Sequence, residues 1–324
     1  MRRASRTALL MLAFLVMTPS RLPVSGVAVR AQGAGGVGPV DRAQLIRDVS
    51  TLSGTSFEGR AAGSPGGIRA RRWLVEQFGA AGIHALAASG YEQPFTADGR
   101  AAANVVGRIE GRAPGTGVIV LTAHYDHLGV RDGVVYPGAD DNASGVAALL
   151  AAGRSLAKVP PRHSFVLAAL DAEEMGQRGA RALLASGAVW GTAPRRTIAL
   201  NINLDMVSRS AARELFAAGT SYSAWLLPVL RDVQRRSAIT LRFGHDRPNA
   251  AGDGDDWTHA SDHGPFHDAG IPFVYFGVED HPDYHKATDT ADRIDPAFFG
   301  DAVDTIVDAI RGLDASVPAT TALQ

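Results

Sequence analysis

Five short stretches put histidines and carboxylates where apolar runs end. "HYDH", His124 to His127, follows "VIVLTA", and "DAEEMG", Asp171 to Gly176, follows "SFVLAAL". "NINLDM" closes a third apolar run on Asp205, and "HPDYHKATDT" brings His281 and His285 after "PFVYFGVED". "PGADDNASG", Pro137 to Gly145, sets Asp140 beside Asp141 just before the small, apolar run "VAALLAAG". The chain has no cysteine, so a metal here would be held by nitrogen and oxygen alone. Zinc, manganese, cobalt and iron accept such ligands, and zinc is the usual choice of a His/carboxylate hydrolase. Asp140, Glu174 and Asp205 with one hydroxide would balance the charge of a pair of divalent ions.

Each stretch also has a plainer explanation. Asp and Asn cap helices, and negative charge is stabilised at a helix N-terminus, which accounts for one carboxylate of "ADDN" but leaves the other surplus beside a like charge. Glu173 and Glu174 before a helix would also complement its dipole, although hydrolysis needs two such groups, one to hold metal and one to take a proton from water. Asp205 alone would be a turn former. His124 and Asp126 are two apart and share a strand face, the spacing of an imidazole and the carboxylate that fixes its tautomer.

The elements that must carry these stretches alternate between helix-like and strand-like patterns. Helices are predicted over 41–50, 67–81, 145–158, 176–186, 222–236 and 296–311, and strands at "NVVGRIE", "VIVLTAH", "SFVLAAL", "TIALNINL", "ELFAAG" and "PFVYFG". Several strands are unbroken apolar runs, as in a sheet covered on both faces, so the expected class is α/β with a mixed, mostly parallel sheet between helices. Ligands gather at the carboxyl ends of such strands, where these polar clusters fall.

The ends of the chain differ from its middle. A basic start, "MRRASR", precedes the apolar "ALLMLAFLVM" and a small-residue cleavage point, "VRA", so 1–31 reads as an export signal to the periplasm or the exterior. A Gly-rich linker over 32–40, one catalytic domain over 41–314 and a polar tail over 315–324 complete the expected organisation. The 324 residues carry 32 basic and 33 acidic side chains, a net charge of -1, which provides no broad field for nucleic acid or an anionic membrane. The mature form is therefore expected to bind neither.

Taken in order, these stretches, with "FEGRAAGSPGG", "NVVGRIEG", "SDHGPF" and "DYHKATDTAD", resemble the co-catalytic di-zinc aminopeptidases of metallopeptidase clan MH, the family of bacterial leucyl aminopeptidase. The resemblance runs from about Asp41 to Leu313. It implies the zinc-dependent exopeptidase fold, a three-layer sandwich with helices on both faces of the sheet, and hydrolysis of the N-terminal residue of peptides with a free amine. It implies two Zn2+ per chain, with Asp140 bridging, His124 and Asp205 on one ion, and Glu174 and His285 on the other. Glu173 would be the general base and acid, Asp126 would orient His124, and the Asp140 to Asp141 peptide bond would be cis. Asp262 or His263 would line the pocket or stabilise the oxyanion. The tyrosine that some relatives place just before "SDHGPF" has no counterpart, since Trp257 and Thr258 stand there, and 88–103 leaves no room for a protease-associated insert. Glutaminyl-cyclase-like single-zinc transferases, carboxypeptidases and dipeptidases share the fold. A binding ectodomain that has lost its ligands fits less well, because each ligand position and Glu173 are filled.

Overall fold

The computed structural model describes residues 38–86, 89–113, 117–190, 198–247 and 255–318. The expected export signal and most of the linker and tail lie outside these residues. Among the described residues no helix is long and apolar enough to cross a membrane.

Three all-buried strands form the centre: β4 (Val118–His124), β7 (Ser164–Leu170) and β8 (Ile198–Leu204). β4 pairs in parallel with β7 on one side and β8 on the other, and β8 pairs in parallel with β11 (Phe273–Gly277). The flanks turn antiparallel. β3 (Arg100–Ile109) runs against β7 and carries both β1 (His84–Ala85) and β2 (Glu92–Ala97), while β9 (Glu214–Ala218) runs against β11 and pairs in parallel with β10 (Thr240–Phe243). A separate small hairpin joins β5 (Gly129–Arg131) to β6 (Val134–Tyr136). Among the described residues the result is a mixed nine-stranded α/β sheet.

Alternation along the central strands divides the core. Ile119, Leu121 and Ala123 of β4 and Phe165, Leu167 and Ala169 of β7 join the larger cluster on one face. That face is covered by α1 (Arg42–Leu52), α2 (Pro65–Ala80), α3 (Gly145–Lys158), α6 (Leu226–Arg236) and α8 (Pro296–Ser316). Val118, Val120, Val166, Ala168 and Leu170 face the other way, onto α4 (Arg178–Ala185), the short α5 (Gly187–Trp190) and α7 (His263–Asp268). Apolar residues on both strand faces require helices on both sides, and this is the three-layer sandwich expected from the sequence.

Local chemistry sets the helix ends. Asp41, Ser64 and Asp295 each accept a hydrogen bond from a first-turn N–H of α1, α2 and α8, and Pro65 and Pro296 open the last two. α8 runs past the predicted end at 311, because Asp314 accepts from the N–H groups of Arg162 and His163 and ties the last turn to the core. The polar tail therefore starts later than its composition suggests.

From β4 the chain crosses through α3 to β7, then returns to β8 on the opposite side of β4. The order reverses at β4, and connections leaving the strand ends there open a crevice. Leu121 is fully buried in this central strand. Leu121→Ala is expected to cost about 2–5 kcal/mol of unfolding free energy, seen as a lower urea midpoint with an unchanged slope. An unchanged midpoint would contradict the layered core.

Candidate metal centre

The parallel register brings three sources of ligands to one level. His124 ends β4 opposite Leu170 of β7, so "DAEE" leaves the sheet beside it, and the Asp205 N–H donates to the Phe276 carbonyl next door. The chain turns sharply as it leaves: Ala172, Met206 and His285 all have left-handed φ, at 58°, 56° and 54°. Non-glycine residues in that region cost about 1–3 kcal/mol each and persist where the surroundings hold them.

Two groups of ligating atoms converge, each within 4.8 Å: His124, Asp141 and Asp205, and His127, Asp141 and Glu174. His124 Nε2 lies 3.3 Å from Asp205 Oδ1 and 3.5 Å from Asp141 Oδ1. On the other side, His127 Nδ1 is 2.8 Å from Glu174 Oε1 and 3.6 Å from Asp141 Oδ2. His285 reaches the same pair, its Nε2 3.1 Å from Asp141 Oδ2 and 3.4 Å from Glu174 Oε2. Asp141 belongs to both groups.

Asp140, expected to bridge, is occupied elsewhere. Its Oδ1 accepts from the Ser208 N–H, the Ser208 hydroxyl and the Ser144 hydroxyl, and its Oδ2 is 3.1 Å from His281 Nε2. Hydroxyl and amide donors thus take Oδ1, and an imidazole faces Oδ2. The cis peptide bond is likewise displaced by one residue, to Asp141–Asn142. Asn142 caps α3, its Oδ1 accepting from the Gly145 and Met206 N–H groups while its Nδ2 donates to the Leu204 carbonyl. The cap is thus neither aspartate, and Asp141 Oδ2 is buried with no hydrogen-bond partner.

The remaining predicted residues surround these groups. Asp126 accepts from the N–H groups of Glu173 and Glu174 at 3.0 and 3.3 Å, and its Oδ1 is 3.7 Å from His124 Nδ1. It thereby positions the glutamates as well as the imidazole. Asp205 is steadied through Ser261, which also accepts a hydrogen bond from Asn203 Nδ2. Asp262 is fully buried and neither of its oxygens has a hydrogen-bond partner. His263 Nε2 donates to the Trp257 carbonyl, and its ring packs against Phe273 and Tyr275, while Nδ1 is unpartnered. Asp256 accepts from the Thr258 N–H.

Without cations, the electrostatics are those of an overfull anionic pocket. Burial pushes the Glu173 carboxyl well above its usual range, with Asp262, Asp205 and Asp126 adding to the rise and His124 opposing it. Burial raises Glu174 too, and raises Asp262 to about 8. Burial works against a charged His124, but Asp205 and Asp126 outweigh it and hold its pKa well above the ordinary imidazole value. Divalent ions fit this place: the ligand atoms are nitrogen and oxygen, they converge, and Asp141 Oδ2, Glu174 Oε1 and both His127 nitrogens are buried without hydrogen bonds.

Residue by residue reasoning missed two contributors. His127 follows the end of β4, where strand alternation gives no guidance. Arg60, within "FEGR", is fully buried and donates to the carbonyls of Leu52, Tyr125, Pro137 and Gly138, tying the loops that carry His127 and Asp141.

A sequence profile described as Peptidase family M28 matches residues 104–310, which include all of these candidate ligands. The chain belongs to Peptidase family M28. A Bacillus subtilis protein named Aminopeptidase YwaD is 29% identical over 204 residues, 60% of this chain but 40% of its own length. The M28 chain thus matches less than half of that relative. Among solved structures, an aminopeptidase from Aneurinibacillus sp. strain AM-1 superposes with a TM-score of 0.67 at 17% identity, covering 86% of this chain and 95% of that one. A Bacteroides thetaiotaomicron glutaminyl cyclase does so at 0.64 and 18%, covering 85% and 99%. At such identities the likeness is one of fold.

Asp141→Asn is expected to weaken divalent-metal binding by roughly tenfold or more, read by calorimetric titration, without lowering the melting temperature of the metal-free protein. Asp140→Asn is expected to lower that melting temperature instead. The reverse pattern would point to Asp140 as the metal-binding aspartate.

Proposed function

We propose that this chain is a zinc metallopeptidase that removes the N-terminal residue of peptides, using two zinc ions held by His124, Asp141 and Asp205 and by Asp141, Glu174 and His285. The observation that carries this reading is the single Asp141 carboxylate common to two converging ligand groups, the second of which His285 also reaches, with Glu173 not among them. Bound zinc would supply Lewis acidity to the attacking water and the scissile carbonyl.

The chain's own residues do the rest. Asp126 holds the Glu173 and Glu174 N–H groups, so the turn presents Glu174 to metal and leaves Glu173 free. Glu173 takes a proton from the attacking water and returns it to the departing amine. Burial and the neighbouring carboxylates raise its pKa, and positive charge at the two ligand groups would lower it and favour the base. Asp126 keeps His124 oriented through the backbone carbonyl and carboxylate that face Nδ1.

A single-zinc cyclase on the same fold is the second reading. Two ligand groups meeting at Asp141 favour the two-ion peptidase. Export from the cytoplasm is part of the proposal, and rests on the basic and apolar residues at the start of the sequence.

Glu173→Gln is expected to keep wild-type zinc content by elemental analysis and to lose about 10²- to 10⁴-fold in turnover of aminoacyl anilides. Full turnover in the variant would dismiss Glu173 as the base, and cyclisation of N-terminal glutamine by a one-zinc wild type would favour the cyclase.

A further inference from the structure

Two imidazoles, His285 and His127, approach the second ligand group from different sides. His285 comes from the rim, with its side chain 40% exposed, whereas His127 comes from the interior, with its side chain 0% exposed. Both reach the same carboxylates, Asp141 and Glu174. The rings are 5.9 Å apart and tilted at 57°, so they do not stack.

The surroundings of His127 give the ring no other task. Neither of its nitrogens makes a hydrogen bond, although a buried unpaired ring N–H costs about 1–3 kcal/mol. Its Nδ1 is 2.8 Å from Glu174 Oε1, and this contact is not a hydrogen bond, since both atoms are without partners. Two polar atoms that approach so closely without sharing a proton suit a cation lying beside both of them. The backbone also leaves space for the ring: Gly138 has φ 58°, and a Cβ there would stand 2.5 Å from His127 Cδ2 and Cγ. Arg60 fixes that segment by donating to the carbonyls of Pro137 and Gly138.

We propose that His127 is a further ligand of the second ion, together with Asp141, Glu174 and His285. This rests on the two-ion reading and makes the ions unequal. The second ion would have four protein ligands, against three for an ion at His124, Asp141 and Asp205. The second ion would therefore bind first and leave last. His285, on the rim, can be lost without losing the ion, because His127 remains.

The test uses the full chain, stripped of metal and titrated with zinc while side-chain ¹⁵N resonances of its histidines are followed. The proposal predicts that the first equivalent shifts His127 Nδ1 and the second shifts His124 Nε2. Two bound equivalents with an unmoved His127 resonance would overturn the proposal and leave the two-ion centre standing. Binding of a single equivalent would overturn the two-ion reading and the ranking of ions with it. In parallel calorimetry, His127→Asn is expected to weaken the tighter step by roughly tenfold to a hundredfold, and His285→Asn is expected to weaken it less. An unchanged tight step in His127→Asn would contradict the assignment.

Discussion

Negative charge gathered in one buried place is the constraint on which the rest of the structure depends. Asp126, Asp141, Glu173, Glu174, Asp205 and Asp262 gather around His124 and His127, and burial with neighbouring carboxylates raises the pKa of Glu173, Glu174 and Asp262. A like charge in low dielectric is costly unless a cation meets it. One such cation is built in: Arg60 is fully buried and feels Asp141, Asp126, Asp289 and Glu174, although burial pushes its own pKa down to about 10. Its hydrogen bonds go to backbone carbonyls, so it supplies charge without occupying a carboxylate. The carboxylates remain free for metal.

That constraint explains the division of labour between adjacent aspartates. Asp140 is hydrogen-bonded by hydroxyl and amide donors and faced by His281, and Asp289 accepts from the N–H groups of both Asp140 and Asp141. One member of the pair fixes the turn, and the other is presented to the cleft. Parallel strands provide the stiffness this needs, because β4, β7 and β8 are buried on both faces and end together.

The fold was largely legible in the sequence because its signals are strong and local. β4 and β7 have the predicted bounds, since an apolar run entering a polar cluster marks a strand and its end together. β10 escaped because "TLRF" is short and alternates on an exposed edge. At the site, residue type was readable and connectivity was not. "ADDN" offers three polar side chains to one helix start, and no spacing rule says that Asn142 takes the cap while Asp140 takes Ser208, a partner 68 residues away. His127 was hidden for a related reason: its partners, Asp141 and Glu174, come from other loops.

The central claim is that Asp141 is the carboxylate common to two cations. Anomalous diffraction at the zinc edge from zinc-loaded crystals tests it most directly. The account predicts two peaks, one on each side of the Asp141 carboxylate, with Asp140 still bonded to Ser208. A single peak, or a pair centred on Asp140, would contradict it.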